Sequence, residues 1–70
     1  MDNEKRKQLA RWALATFRLN HPDYFNHPEE PDEQAIIDLM ANLMHLAKEM
    51  GQNPAHLVQT AANHYEEEGV

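Results

Sequence analysis

The chain has 70 residues, no cysteine, 41% hydrophobic residues and a formal net charge of −6. A chain this short buries only about 60% of the surface that its unfolded form exposes, so a deep substrate cleft is not expected. The absence of cysteine excludes disulfides, thiolate zinc sites and cysteine nucleophiles. We therefore predict one small domain, 1–70, in the reducing cytoplasm.

No apolar run reaches the ~18 residues of a membrane span, and no apolar stretch of signal-peptide length follows the N-terminal charges. The sequence therefore predicts a protein that is neither exported by this route nor associated with a membrane.

The charge is divided unevenly along the chain. Residues 1–20 contain five basic and two acidic side chains, a net charge of +3, whereas residues 21–70 contain one basic and ten acidic side chains, a net charge of −9. A basic first helix is thus joined to an acidic body, and the overall balance disfavours general nucleic-acid binding.

The first predicted helix covers residues 3–20. At about 100° per residue, one side collects apolar and small residues and the opposite side collects basic ones. Asp2 or Asn3 can cap its first amides, and His21 should end it because it precedes a proline. The apolar side contains Leu9, Trp12, Ala13, Thr16 and Phe17, and the opposite side, which we call the basic stripe, contains Lys7, Arg11 and Arg18.

Residues 21–31 hold three of the four prolines and cannot form a continuous helix. We predict an ordered loop with one helical turn after Pro22. Tyr24 and Phe25 are too apolar for a solvated linker, so both are expected to fold back as a lid on the edge of the bundle.

Two further helices are predicted, at 32–50 and 54–66. Gly51 should end the first of them, and Asn53 followed by Pro54 is a typical start for the second. The apolar residues of 32–50 span roughly 200°, which exceeds the ≳100° face of an ordinary surface helix. The prediction is an all-α three-helix bundle in which part of this arc meets a partner, through Ile37, Leu39, Met40, Met44 and Leu46.

Residues able to carry chemistry are sparse. The pairs His45/Glu49 and His64/Glu68 have i, i+4 spacing, but two ligands do not make a zinc site and no HExxH motif occurs. A loop cluster of His21, Asp23, His27 and Glu29 is at most a weak divalent-ion site. We therefore predict no catalytic residue, no metal site and no cofactor, and do not expect an enzyme.

The segment 36–65 has the length of a helix-turn-helix motif, but its last helix contains no Lys or Arg and leads into three glutamates. Phosphate would repel that helix, so docking of this kind is disfavoured.

Residues 32–68 follow the pattern aLMxxLxHxAxxxG, a short turn, then AxxHYxxE. The pattern is carried by Leu39, Leu43, His45, Ala47, Gly51, Ala61, His64 and Tyr65. In this it resembles a group of small uncharacterised proteins encoded by phages, plasmids and other mobile elements of Gram-negative bacteria. The resemblance implies a bacterial intracellular setting and a non-enzymatic accessory role, and it assigns no site residue.

The leading hypothesis is a small non-enzymatic protein-interaction module, a homodimer that also binds an unidentified protein and that, as a mobile-element accessory protein, modulates a host protein. The alternative is a nucleic-acid accessory protein that uses the basic stripe, and a minor alternative is a histidine-rich metal-responsive module.

Overall fold

The computed structural model describes residues 2–69, which contain four helices and no strand: α1 Asn3–Asn20, α2 Pro22–Phe25, α3 Asp32–Glu49 and α4 Pro54–Glu67. The all-α prediction is confirmed, and each long helix begins at the predicted residue and ends within one residue of the predicted end. The short α2 is the helical turn expected after Pro22. The three-helix bundle is not confirmed.

The chain divides within α3 into two compact units, Met1–Met40 and Ala41–Val70. In the first unit α1 packs against α2, and the N-terminal half of α3 contributes Ala35, which is fully buried. The second unit contains the rest of α3, the turn after it and α4.

His21 links α1 to α2. Its amide donates to the Phe17 carbonyl at 2.9 Å, and its Nδ1 accepts from the Asp23 amide at 3.2 Å. Its backbone is extended (φ −96°, ψ 118°), as favoured before Pro22. The same residue thus ends α1 and caps α2. At the other end of α1, the Asp2 carboxylate accepts from the Lys5 amide at 2.8 Å, as predicted for an N-cap.

The turn between α3 and α4 is a Schellman motif. Gly51 has φ +81°, the Gln52 amide donates to the Ala47 carbonyl at 2.9 Å, and the Gly51 amide donates to the Lys48 carbonyl at 3.0 Å. Asn53 then caps α4 by accepting from the His56 amide at 3.2 Å. This turn forms as the sequence predicts.

Few side chains are buried. Within residues 2–69 the buried hydrophobic residues are Tyr24, Ala35 and Ala47. The lid expectation holds for Tyr24, but it is wrong for Phe25, which is 64% exposed. On the predicted apolar side of α1, only Phe17 is half-buried. Many large hydrophobic side chains of the three long helices are exposed, as is Met50 in the turn after α3. Those on the helices are Leu9, Trp12, Leu19, Ile36, Ile37, Met40, Leu43, Met44, Leu46, Leu57, Val58 and Tyr65.

Candidate functional site

The predicted partner-binding residues of α3 occupy two different environments. Leu39 is half-buried, on the side of the helix that carries the buried Ala35, and Leu46 is exposed. The other three, Ile37, Met40 and Met44, lie at helical spacing on the side of α3 opposite Ala35. They are exposed, and so are their neighbours Ile36 and Leu43. We call this surface the α3 flank; it consists of Ile36, Ile37, Met40, Leu43 and Met44.

A contiguous exposed apolar surface of this kind is typical of a protein–protein interface. The methionines fit that use because their unbranched thioether side chains adapt to irregular partners. All five residues of the α3 flank belong to α3.

Three rings meet where α1 joins α2. Ring centroids lie 5.2 Å apart for Phe17 and His21, 5.9 Å for Phe17 and Tyr24, and 4.9 Å for His21 and Tyr24. The tilted and edge-on geometries are those that aromatic quadrupoles prefer. This cluster, with Tyr24 only 4% exposed, is the packed centre of the first unit.

Arg18 holds the proline-rich loop beside this cluster. Its Nη2 donates to the carbonyl oxygens of Glu30 at 2.8 Å and Pro28 at 3.2 Å, and its Nη1 contacts Asp32 Oδ1 at 3.2 Å. The guanidinium also lies 5.2 Å from the centroid of the Tyr24 ring, a cation–π distance. The planar fork of arginine can make these contacts at once, which a lysine cannot.

The basic stripe is therefore not uniform. Lys7 forms an exposed ion pair with Glu4 at 3.1 Å, Arg11 is exposed, and Arg18 binds its own loop. The three share a side of α1 by helical spacing, but Arg18 is engaged within its own chain.

The Tyr24 hydroxyl donates to Asp38 Oδ2, which connects α2 to α3. This hydrogen bond, together with burial and the negative charge of Asp38, raises the pKa of Tyr24 to about 12. Tyr24 consequently stays protonated and acts as a donor throughout the physiological pH range.

Beside Tyr24 lies a cleft of about 310 Å³ lined largely by polar side chains: Asp23, Tyr24, His27, Glu30, Gln34 and Asp38. His27 Nδ1 lies 3.1 Å from Glu29 Oε1. A hydrogen bond from its own backbone amide, aided by His27, lowers the pKa of Glu29. The lining contains no serine, threonine or lysine that could act as a nucleophile.

The histidine clusters do not assemble into a ligand set. Within residues 2–69, no three histidine or carboxylate side chains are grouped so that they could hold a metal ion. His21 of the loop cluster instead uses Nδ1 to cap α2.

None of the described helices is long and apolar enough to cross a membrane. Comparisons with protein-family models, with curated proteins and with solved structures found no match. Inferences about function therefore depend on the physical character of the α3 flank and of the cleft beside Tyr24.

Proposed function

We propose that this protein is a small non-enzymatic interaction module of the cytoplasm that self-associates as a homodimer and binds another protein through the α3 flank. The observation that carries the proposal is the exposure of the flank: Ile37 and Met40 are each 51% exposed. At about 25 cal/mol per Å² of apolar surface buried, covering such side chains favours association.

The small number of buried side chains supports the same proposal. Chains of about 70 residues often need a disulfide, a metal or a partner to complete their core, and this chain has no cysteine. A partner chain would supply the missing burial, and in the bound form the helices would complete the predicted three-helix arrangement.

The resemblance to mobile-element proteins directs the second part of the proposal, which is modulation of a host protein. The acidic body, with a net charge of −9 over residues 21–70, favours a partner with a basic surface. Protein binding has more support than nucleic-acid binding, because Arg18 of the basic stripe is occupied by its own loop.

The proposal is tested by a charge placed on the α3 flank. Met40→Glu should dissociate the dimer in sedimentation equilibrium and abolish capture of a host partner by the tagged protein, because a buried carboxylate without a partner is strongly unfavourable. Its matched control is His45→Glu, which adds the same charge to an exposed position on the opposite side of α3 and should preserve both properties.

Both variants should keep the helical circular-dichroism signal, since both positions are exposed. If wild-type protein sediments as a monomer at high concentration and captures the same proteins as Met40→Glu, the proposal is wrong.

A further inference from the structure

His21 lies at the junction of α1 and α2, where its imidazole makes three contacts at once. Nδ1 accepts a hydrogen bond from the Asp23 amide at 3.2 Å, and this bond is the N-cap of α2. The same ring stands edge-on to Tyr24, with centroids 4.9 Å apart, and lies 5.2 Å from the centroid of the Phe17 ring. His21 is half-buried, so this packing restricts the orientation of its imidazole.

The N-cap of α2 requires a neutral imidazole. A neutral imidazole has one protonated and one unprotonated ring nitrogen, and only the unprotonated nitrogen can accept a hydrogen bond. Because Nδ1 of His21 accepts from the Asp23 amide, the proton of the neutral ring lies on Nε2. An imidazolium carries a proton on both nitrogens and has no acceptor. Protonation of His21 therefore breaks the cap and leaves the Asp23 amide without that acceptor.

The caps of α1 and α4 differ from the cap of α2 in their response to pH. Asn53 caps α4 through an amide oxygen, which does not titrate, and Asp2 caps α1 through a carboxylate, a group that ordinarily titrates near pH 4. An imidazole is the side chain that ordinarily changes its charge between about pH 5 and pH 8. Of these three caps, the one at His21 is thus the one exposed to changes near neutral pH.

The surroundings of His21 offer an imidazolium no replacement for the lost hydrogen bond. The charged side chains around the three rings come from every segment that packs there: Arg18 of α1, Asp23 of α2, Glu30 of the loop and Asp38 of α3. Asp38 accepts from the Tyr24 hydroxyl, and Arg18 adds a positive charge. Within residues 2–69, no carboxylate forms an ion pair with the His21 imidazole.

We propose that His21 is a pH-sensitive switch at the junction of α1 and α2. Above about pH 7 the neutral imidazole caps α2 and packs with Phe17 and Tyr24, and as the pH falls toward about 5.5 the imidazolium releases the Asp23 amide and α2 loosens. Because the Tyr24 hydroxyl joins α2 to Asp38 of α3, the loosening also weakens that link. All these residues belong to the first unit, so the switch operates whether or not the protein self-associates.

Thermal melting of His21→Asn tests the switch. Asparagine is a preferred N-cap residue, and its amide oxygen accepts a hydrogen bond without being protonated in this range, so the variant keeps a cap that does not respond to pH. Most carboxylates stay ionised between about pH 7.5 and pH 5.5. Over this interval the unfolding midpoint of the wild type in dilute solution should fall by about 4 °C more than that of His21→Asn, as expected for the loss of one N-cap.

The matched control is His45→Asn, which removes an exposed imidazole from α3 and should keep the pH dependence of the wild type. If the midpoints of the wild type and His21→Asn fall equally on acidification, the proposed switch does not exist.

A second measurement uses the wild-type protein and therefore decides the matter even if His21→Asn does not fold. Long-range proton–nitrogen correlation spectra of the imidazoles distinguish the two neutral tautomers, and at about pH 8 His21 should carry its proton on Nε2. On acidification the Asp23 amide proton should move to lower chemical shift as its hydrogen bond is lost, with the same midpoint as the His21 imidazole. A proton on Nδ1 at about pH 8, or an Asp23 amide that does not respond when His21 titrates, would overturn the proposal.

Discussion

The two tyrosines of the chain occupy opposite environments. Tyr24 is 4% exposed and Tyr65 is 60% exposed, although both lie on helices beside other apolar or aromatic residues. The Phe17 and His21 rings and the Arg18 guanidinium contact the Tyr24 ring. The Asp38 carboxylate accepts a hydrogen bond from the Tyr24 hydroxyl. Tyr65 belongs to a helix without a buried residue. The first unit thus completes a small centre from its own residues, whereas the large apolar side chains of α4 are exposed.

The largest expected difference between these regions is in thermal stability. Tyr24→Ala removes the ring that contacts Phe17 and His21 and leaves Asp38 without its donor, so it should lower the unfolding midpoint by more than about 10 °C. Tyr65→Ala should change the midpoint by less than about 3 °C in dilute solution, because the side chain is mostly exposed. Circular-dichroism melting of the two variants checks this contrast.

Equal melting midpoints for the two variants in dilute solution would show that the Tyr24 cluster is not the stabilising centre of the unit.

The helix ends were predictable from the sequence because local residues determine them. The hydrogen bonds at Asp2, Gly51 and Asn53 join groups only a few residues apart. The local sequence therefore determines which groups pair at each helix end. The exposed part of the α3 arc was predictable for a similar reason, since 3.6-residue periodicity shows that the apolar width exceeds one packing face.

The cluster around Tyr24 was not predictable in detail. The hydrogen bonds of Arg18 and Tyr24 join residues that are 10 to 14 positions apart, such as Arg18 with Pro28 and Tyr24 with Asp38, and they depend on the path of a proline-rich loop. The sequence contained one usable signal, an arginine and a tyrosine six residues apart around His21 and Pro22. Helical spacing assigned Arg18 to the basic stripe, because periodicity shows on which side of α1 a residue lies but not which residues it contacts.

The next largest effect is expected for the loop. Arg18→Gln removes three contacts to the segment Pro28–Asp32 and should reduce the free energy of unfolding by about 1–2 kcal/mol. It should also accelerate cleavage after Glu29 by a glutamate-specific protease, because the contacts of Arg18 with the Pro28 and Glu30 carbonyl oxygens hold the loop. Arg11→Gln removes the same charge from an exposed position of α1 and should affect neither measurement; equal cleavage rates for the two variants would contradict the assigned role of Arg18.

A smaller effect is expected at the turn of the second unit. An added Cβ at Gly51 would meet nothing within 4 Å, so the cost of Gly51→Ala comes only from its φ of +81° and should be about 1 kcal/mol. Gly69→Ala, at φ +71°, should cost less because the helix end it follows can fray. Chemical denaturation of the two variants measures the difference, and a loss at Gly69 as large as at Gly51 would show that the Schellman turn has no special importance.

The smallest expected effect at neutral pH concerns the protonation of the Tyr24 hydroxyl. An alkaline titration measures it and is the test most specific to the Tyr24 environment. In a Tyr65→Phe background the tyrosinate absorbance reports Tyr24 alone, and its midpoint should lie near 12 instead of the ordinary 10. Because the folded state raises this pKa, the stabilisation is complete below pH 10 and is lost as the pH rises toward 12. The helical signal should therefore fall over the same interval. Asp38→Asn removes the negative charge and weakens the acceptor, so it should move the midpoint back toward 10; a midpoint that is already near 10 before this substitution would mean that the Tyr24 hydroxyl and Asp38 are not paired in solution.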